Sequence, residues 1–281
     1  GEPLSIPSIG VTGPARTPTV PPACHRPAQG SGDRAAGRAR QGEACQGTPR
    51  SGGKATAMHG TTIVFDLDGT LIDTAPDLAR AVNHVLAGLG HPPVPALSIR
   101  AEVSHGAKEM LRKAVKIAGA TLSESDLDRL YQKELLTHYA DNIAVDSRPF
   151  PGLLAAIDAI EAGGARLAVC TNKWEGLSRT LLSELGLAHR FAAIAGRDTF
   201  PVMKPHPDHL LGAIRLAGGD AARAVMVGDS TTDVRAARAA NVPVIGVSFG
   251  YLDVPAADLG ADLVIDHYDE LLVALDAVTK A

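Results

Sequence analysis

The stretch Ile63-Val64-Phe65-Asp66-Leu67-Asp68-Gly69-Thr70-Leu71 is a short apolar run, rich in β-branched and aromatic residues, that ends in two carboxylates two positions apart and then a glycine. Such a run reads as a buried strand. Alternate residues of an extended strand point the same way, so Asp66 and Asp68 share a side. An ionised aspartate at the end of a buried strand is costly unless a cation or several hydrogen bonds meet it. Two of them point to a metal and a reaction, and open α/β sheets keep their chemistry beyond the carboxyl ends of their strands.

Working outward, similar apolar runs recur at Thr61 to Phe65, Arg166 to Cys170, Ala192 to Ala195, Ala224 to Val227, Pro243 to Val247 and Leu263 to Ile265. Most are separated by segments with helical periodicity, such as Leu153, Leu154, Ile157 and Ile160, or Leu177, Leu181, Leu182 and Leu185 closed by Gly186. This alternation predicts an α/β fold, a Rossmann-like doubly wound parallel sheet with helices on both faces. Between Thr74 and about Ser147 only helical patterns occur, and Ser123 with Asp126 has the form of a capping box. The expected organisation is therefore a catalytic core of residues 58–74 and 147–281, interrupted by an all-helical cap domain over residues 75–146.

The 281 residues, 45% of them hydrophobic, suffice for one large or two modest domains. Residues 1–57 differ from the rest: they hold 10 Gly and 8 Pro, no aromatic residue, and only five Leu, Ile or Val. They are expected to form a disordered Gly/Pro-rich tail, and because Met58 stands directly before the first strand, their origin is expected to be upstream or vector-derived sequence. Seven basic against three acidic residues give the tail +4, which leaves −8 for residues 58–281 out of the total of −4. An acidic globular part argues against a nucleic-acid partner. No apolar run approaches the roughly 20 residues that span a bilayer, so no membrane association is expected. Cys24, Cys45 and Cys170 lack paired spacing, which fits a reducing cytoplasm.

Four polar clusters follow predicted strands: Asp66 with Asp68, Thr171 with Asn172, Lys204, and Asp229 with Asp233. In a parallel sheet they fall on one edge although the chain separates them widely. Together, Asp66-Leu67-Asp68-Gly69-Thr70, Thr171, Lys204 and Gly228-Asp229-Ser230-Thr231-Thr232-Asp233 resemble the four motifs of the haloacid dehalogenase superfamily, over essentially all of residues 60–281. Singly, each residue has a simpler reading, an aspartate as a helix N-cap or a lysine on a solvated surface. Those readings would all have to fall on one edge by accident.

The resemblance implies phosphoryl chemistry, which needs an in-line nucleophile, positive charge on the nonbridging oxygens and a proton for the leaving alkoxide. Asp66 is the expected nucleophile, forming an aspartyl-phosphate, and Asp68 the general acid and then base. Mg²⁺ is the expected cofactor, held by the Asp66 and Asp229 side chains; by the family pattern Asp68 adds its backbone carbonyl and Asp233 stands behind. Thr171 and the amides around Gly69 and Asn172 would take the phosphate oxygens, and Lys204 would bind the transferring group. Superfamily members that cleave carbon–halogen bonds, and transport ATPases, lack an acid at the position of Asp68, so its presence favours a phosphatase or phosphomutase.

Two other leads fail on spacing. A thiol phosphatase needs an Arg six positions after its Cys, and Gly176 stands there after Cys170; a buried core cysteine is expected instead. Gly47 to Lys54 imitates a P-loop, but with the Lys one place late and no following Ser or Thr.

Within the superfamily, Phe150-Pro151-Gly152, Thr171-Asn172-Lys173, Lys204-Pro205-His206-Pro207, Gly228-Asp229-Ser230 and Val244 to Tyr251 are most similar to the bacterial phosphoglycolate phosphatases. That implies hydrolysis of 2-phosphoglycolate, or failing that another sugar phosphate, nucleotide or pyrophosphate, or phosphoryl transfer by a mutase. An inactive binding protein on the same fold is the remaining alternative. Trp174 departs from the Pro common at that position, and is expected to pack against the cap or line the site entrance. Substrate recognition is expected from the cap, where His105 and Lys108 precede or open a helix and could meet a carboxylate. The expected partner is a small phosphorylated metabolite, bound by a monomer or homodimer.

Overall fold

The computed structural model describes residues 58–280. The tail reading, with Cys24 and Cys45, lies outside the described residues. Six parallel strands form the main sheet: β1 Thr62–Phe65, β4 Arg166–Cys170, β5 Ala193–Ala195, β6 Ala224–Gly228, β7 Val244–Val247 and β8 Leu263–Ile265, in the order β5-β4-β1-β6-β7-β8. From β1 the chain moves to β4 and β5, then returns to the other side of β1 with β6. The strand order reverses at β1, and a crevice opens at such a reversal.

Strand alternation divides the core between the two faces. Ile63, Phe65, Leu167, Val169, Val225 and Val227 pack with α6 (Leu153–Ala162), α7 (Glu175–Glu184) and α10 (Leu271–Lys280). Val64, Ala168, Cys170 and Met226 pack with α8 (Pro207–Leu216) and α9 (Thr231–Ala239). With both faces covered, the central strands are apolar beyond their first residues, Thr62 in β1 and Arg166 in β4. Cys170 is a buried free thiol, pushed up to about 12 by burial. The apolar face expected of α6 is narrower than its sequence suggested: Leu153, Ile157 and Ile160 are buried while Leu154 is exposed.

The interval after β1 is helical: α1 Ala75–Gly88, α2 Ala96–Ile99, a 3₁₀ turn Arg100–His105, α3 Ala107–Ile117, α4 Glu124–Leu130, a π turn Tyr131–Leu135 and α5 Leu136–Asp141. Ser123 accepts from the Asp126 amide at 3.1 Å, which is the forward half of the expected capping box. The Leu78, Val82, Val85 and Leu86 stripe of α1 is buried and continuous with the apolar cluster on one sheet face.

The entry and exit of this insert pair as a short antiparallel ribbon, β2 Ile72–Asp73 with β3 Arg148–Pro149. Asp77 in α1 clasps the exit strand, accepting from the Asp146 amide and from the Ser147 amide and hydroxyl at 2.7–3.1 Å. Burial alone would raise this carboxyl, but those hydrogen bonds hold it below the usual carboxylate range. The start of α1 is capped by a residue distant in sequence. Thr74 occupies the N-cap position without a side-chain cap, and the Tyr251 hydroxyl accepts from the Thr74 and Ala75 amides at 2.6 and 2.8 Å instead. Asp73 is bound to that same hydroxyl, at 2.8 Å.

Candidate active site

The carboxyl ends of β1, β4 and β6, with the loop before α8, surround a cleft of about 180 Å³. Asp66, Asp68, Thr171, Asn172, Lys204 and Asp229 all line it, with Leu78, Val103, His105, Leu136 and Tyr139 of the helical insert on its other side. The expected core residues thus converge although the chain separates them.

Lys204 lies at the centre of the charge arrangement. Its buried ammonium is 2.9 Å from Asp66 Oδ1 and 2.6 Å from Asp233 Oδ1. Burial disfavours the charged lysine, yet the two carboxylates outweigh it and hold Lys204 protonated well above its ordinary range. The main chain of Lys204 is fixed by a residue that sequence reading missed. The Lys204 amide donates to His209 Nδ1 at 3.1 Å, and His209 Nε2 lies 3.0 Å from the Gly196 carbonyl. One imidazole nitrogen must accept while the other donates, which is the neutral tautomer; burial, with Lys204 nearby, accordingly lowers His209 to about 4. In sequence His209 is a lone histidine on an apolar helix face. His206 is the N-cap of α8, accepting from the Asp208 amide.

Asp233 has both oxygens engaged. Besides Lys204, it accepts from the Ser230 hydroxyl at 2.7 Å and the Ser230 amide at 3.1 Å, in a capping box that opens α9. Asp229 accepts from the Thr70 hydroxyl at 3.1 Å and the Tyr251 amide at 2.7 Å. Asp66 accepts from the Leu67 amide at 2.7 Å through the oxygen that also faces Lys204.

Carboxylate oxygens of Asp66, Asp229 and Asp233 lie within 4.8 Å of one another, and the Lys204 ammonium pairs with only two of them, Asp66 and Asp233. Burial raises Asp66 to about 6, with Asp233 adding to the rise and Lys204 opposing it. Burial likewise raises Asp229 well above the carboxylate range, helped by Asp66 and Asp233. Oxygen donors crowded in this way, deficient in positive charge, fit a hard divalent cation.

Gly69 matters through its shape. Its φ is +84°, and a Cβ there would stand 2.2 Å from Asp229 Oδ2, so only glycine lets the β1 turn reach the acid of β6. Its amide donates to Ile72 O at 3.0 Å, within the turn. The Asp68 and Asn172 amides have no acceptor among the described residues. Asn172 Nδ2 donates to Lys204 O at 2.9 Å, and Thr171 Oγ1 accepts from the Lys173 amide at 3.2 Å.

Asp68 is held by partners that sequence reading did not assign. Lys173 Nζ lies 3.1 Å from both of its oxygens, and the Thr74 hydroxyl donates to Oδ1 at 2.7 Å. The Lys173 ammonium also sits 4.5 Å from the centre of the Tyr139 ring, which α5 contributes from the insert. The one available signal was the basic residue in Thr171-Asn172-Lys173, and nothing in sequence names its partner.

The two cap residues expected to contact substrate separate. His105 lines the cleft, beside the Ser104 hydroxyl at 3.3 Å. Lys108 does not: it points to α4, 2.5 Å from Asp128 and 3.7 Å from Glu124, because the first turn of α3 turns it toward those acids. Trp174 is the N-cap of α7 and lines the cleft.

The sequence profile described as Haloacid dehalogenase-like hydrolase matches residues 63–247. A protein of Mesorhizobium japonicum named phosphoglycolate phosphatase is 50% identical over 218 residues, covering 78% of this chain and 96% of its own. One of the same name from Agrobacterium fabrum is 48% identical, covering 75% and 91%. The crystal structure of a predicted phosphoglycolate phosphatase from Haemophilus somnus superposes with a TM-score of 0.69 at 28% identity, over 77% of this chain and 98% of that one.

Proposed function

The chain belongs to the haloacid dehalogenase-like hydrolases, and from that premise we propose that it is a phosphoglycolate phosphatase, a Mg²⁺-dependent phosphoric monoester hydrolase that converts 2-phosphoglycolate to glycolate and phosphate. The observation that carries this reading is the placement of Asp66 beside both Lys204 and Asp229 in the cleft, with Asp68 two residues on and clasped by Lys173.

The chemistry follows from what each group can do. A carboxylate oxygen of Asp66 attacks phosphorus in line as the ester P–O bond breaks, leaving an aspartyl-phosphate. Asp68 gives its proton to the departing glycolate oxygen. It then takes a proton from water, whose oxygen attacks the aspartyl-phosphate and releases phosphate and Asp66. Lys173 and Thr74 fix the orientation in which Asp68 performs both transfers. Lys204 neutralises charge on the transferring group, the Thr171 hydroxyl and the Asp68 and Asn172 amides supply donors to its oxygens, and His209 holds the Lys204 backbone in place. Asp66 and Asp229, with the Asp68 carbonyl, are the residues that would hold Mg²⁺, while Asp233 keeps Lys204 in register. When bound, the cation supplies charge compensation that the carboxylate cluster otherwise lacks.

The helical insert serves as a cap that excludes water during transfer, and His105 is its polar contribution to the cleft. The test is phosphate release from a panel of small monoesters with and without Mg²⁺. Preference for 2-phosphoglycolate, abolished by a chelator, is expected; equal rates on sugar phosphates or nucleotides would assign a different substrate.

A further inference from the structure

Three cationic side chains line the cleft, and two of them are already neutralised. Lys204 faces Asp66 and Asp233, and Lys173 faces Asp68. The third, Arg197, forms no ion pair or side-chain hydrogen bond among the described residues. The acids nearest its backbone are committed elsewhere: Asp198 accepts from the Glu175 amide at 2.8 Å, and Glu175 pairs with Arg179 at 2.7 Å and accepts from the Thr199 hydroxyl at 2.5 Å.

The guanidinium is nevertheless well placed. It lies over the Trp174 indole, 4.9 Å from the ring centre, a stacking that holds an arginine fork without consuming its donors. The backbone beneath it is anchored, since the Arg197 amide donates to Lys173 O at 2.9 Å. Gly196 brings this turn so close to the start of α7 that a Cβ would stand 2.3 Å from the Glu175 nitrogen. Arg197 is thereby fixed to the segment Thr171-Asn172-Lys173 that faces the phosphoryl site. Trp174 Nε1 is also buried with no acceptor among the described residues. The half-buried Arg197 guanidinium thus lines the cleft with its donors uncommitted to the chain, and a planar carboxylate matches the guanidinium fork in shape and charge.

We propose that Arg197, braced on Trp174, is the specificity-determining residue of this site, binding the carboxylate of a short phosphorylated hydroxy acid while its phosphoryl group lies at Asp66. This rests on the phosphatase reading above and adds the feature that separates 2-phosphoglycolate from neutral esters of the same size. It also gives Trp174 a role, as the platform for the arginine.

The test compares 2-phosphoglycolate with 2-hydroxyethyl phosphate, in which a neutral hydroxymethyl group replaces the carboxylate. In Arg197→Met, kcat/KM for 2-phosphoglycolate is expected to fall by about ten- to a hundredfold, the size of a lost charge-assisted contact, mainly through KM. For 2-hydroxyethyl phosphate it should stay within about threefold. Arg197→Lys, which keeps the charge but not the fork, should lie between, with Trp174→Ala shifting selectivity the same way. Equal losses on both esters, or unchanged selectivity in an active Arg197→Met enzyme, overturn the proposal. So does a loss of selectivity in His105→Ala but not in Arg197→Met, which would put the carboxylate on the cap. Should the Met variant fail to fold by circular dichroism, Arg197→Lys decides by the same ratio. Wild-type enzyme that releases phosphate from neither ester removes the phosphatase reading itself, and this proposal with it.

Discussion

Both carboxylate oxygens of Asp68 accept from the Lys173 ammonium, each at 3.1 Å. The same ammonium rests on the face of Tyr139 from the helical insert, so the group assigned to proton transfer is oriented by a contact that joins core and insert. Lys173→Met should lower kcat on 2-phosphoglycolate by about ten- to a hundredfold, a part of what a general acid contributes. With p-nitrophenyl phosphate, whose leaving group needs no proton, the loss should be smaller. Steady-state kinetics on the two esters check this.

Metal binding and pH are linked through the buried carboxylates. Asp66 rises from 3.8 to about 6 in the folded protein, so the fold retains a proton that the unfolded chain releases, and that stability is lost as pH climbs through about 6. His209, lowered from 6.5 to about 4, works oppositely over much of the same range, because there the unfolded chain holds the extra proton. Asp229, raised well above the carboxylate range, adds to the loss, so metal-free stability should fall between pH 4 and 6.5, while Mg²⁺, competing with protons at Asp66 and Asp229, stabilises increasingly above about 6. At about a hundredfold excess over Kd the gain is about 2.7 kcal/mol, roughly 5–10 °C in Tm for a domain of this size. Thermal melts with and without Mg²⁺ at pH 5 and pH 8 measure the difference.

His209→Ala should destabilise the protein by about 2–4 kcal/mol, since it leaves the buried Lys204 amide and Gly196 carbonyl without partners. Urea unfolding gives that number. Activity should fall as well, because the loop that presents Lys204 loses its brace.

Gly69→Ala should cost about 1–3 kcal/mol through its positive φ. The larger consequence is steric: the new methyl group meets Asp229, so the Mg²⁺ concentration for half-maximal activity should rise by about tenfold or more. A Mg²⁺ titration of initial rate separates this from simple unfolding.

The parts of the molecule legible in sequence were those with local signatures. Runs such as Arg166–Cys170 and Ala224–Gly228 are strands because apolar, β-branched residues favour a covered sheet, and the polar residues at their ends meet because the sheet is parallel. Contacts between distant positions were not legible. Nothing local pairs Lys173 with Asp68 or seats the Tyr251 hydroxyl on the Thr74 amide, 177 residues away. Thr74 stands at the N-cap of α1 and is of a residue type that caps its own helix, yet its hydroxyl is drawn to Asp68. Lys108 looked like a substrate contact because it opens a helix beside the site, but the acids of α4, on the next helix of the insert, capture it. The two-residue ribbon at the entry and exit of the insert was too short to carry any periodicity.

The central claim is that Asp66 carries the phosphoryl group during turnover. Rapid acid quenching of enzyme turning over ³²P-labelled 2-phosphoglycolate with Mg²⁺, followed by peptide mapping, tests it directly. A hydroxylamine-sensitive label on the peptide containing Asp66, lost together with turnover in Asp66→Asn, is the expected result. Full turnover in Asp66→Asn, or a label on another residue, would contradict it.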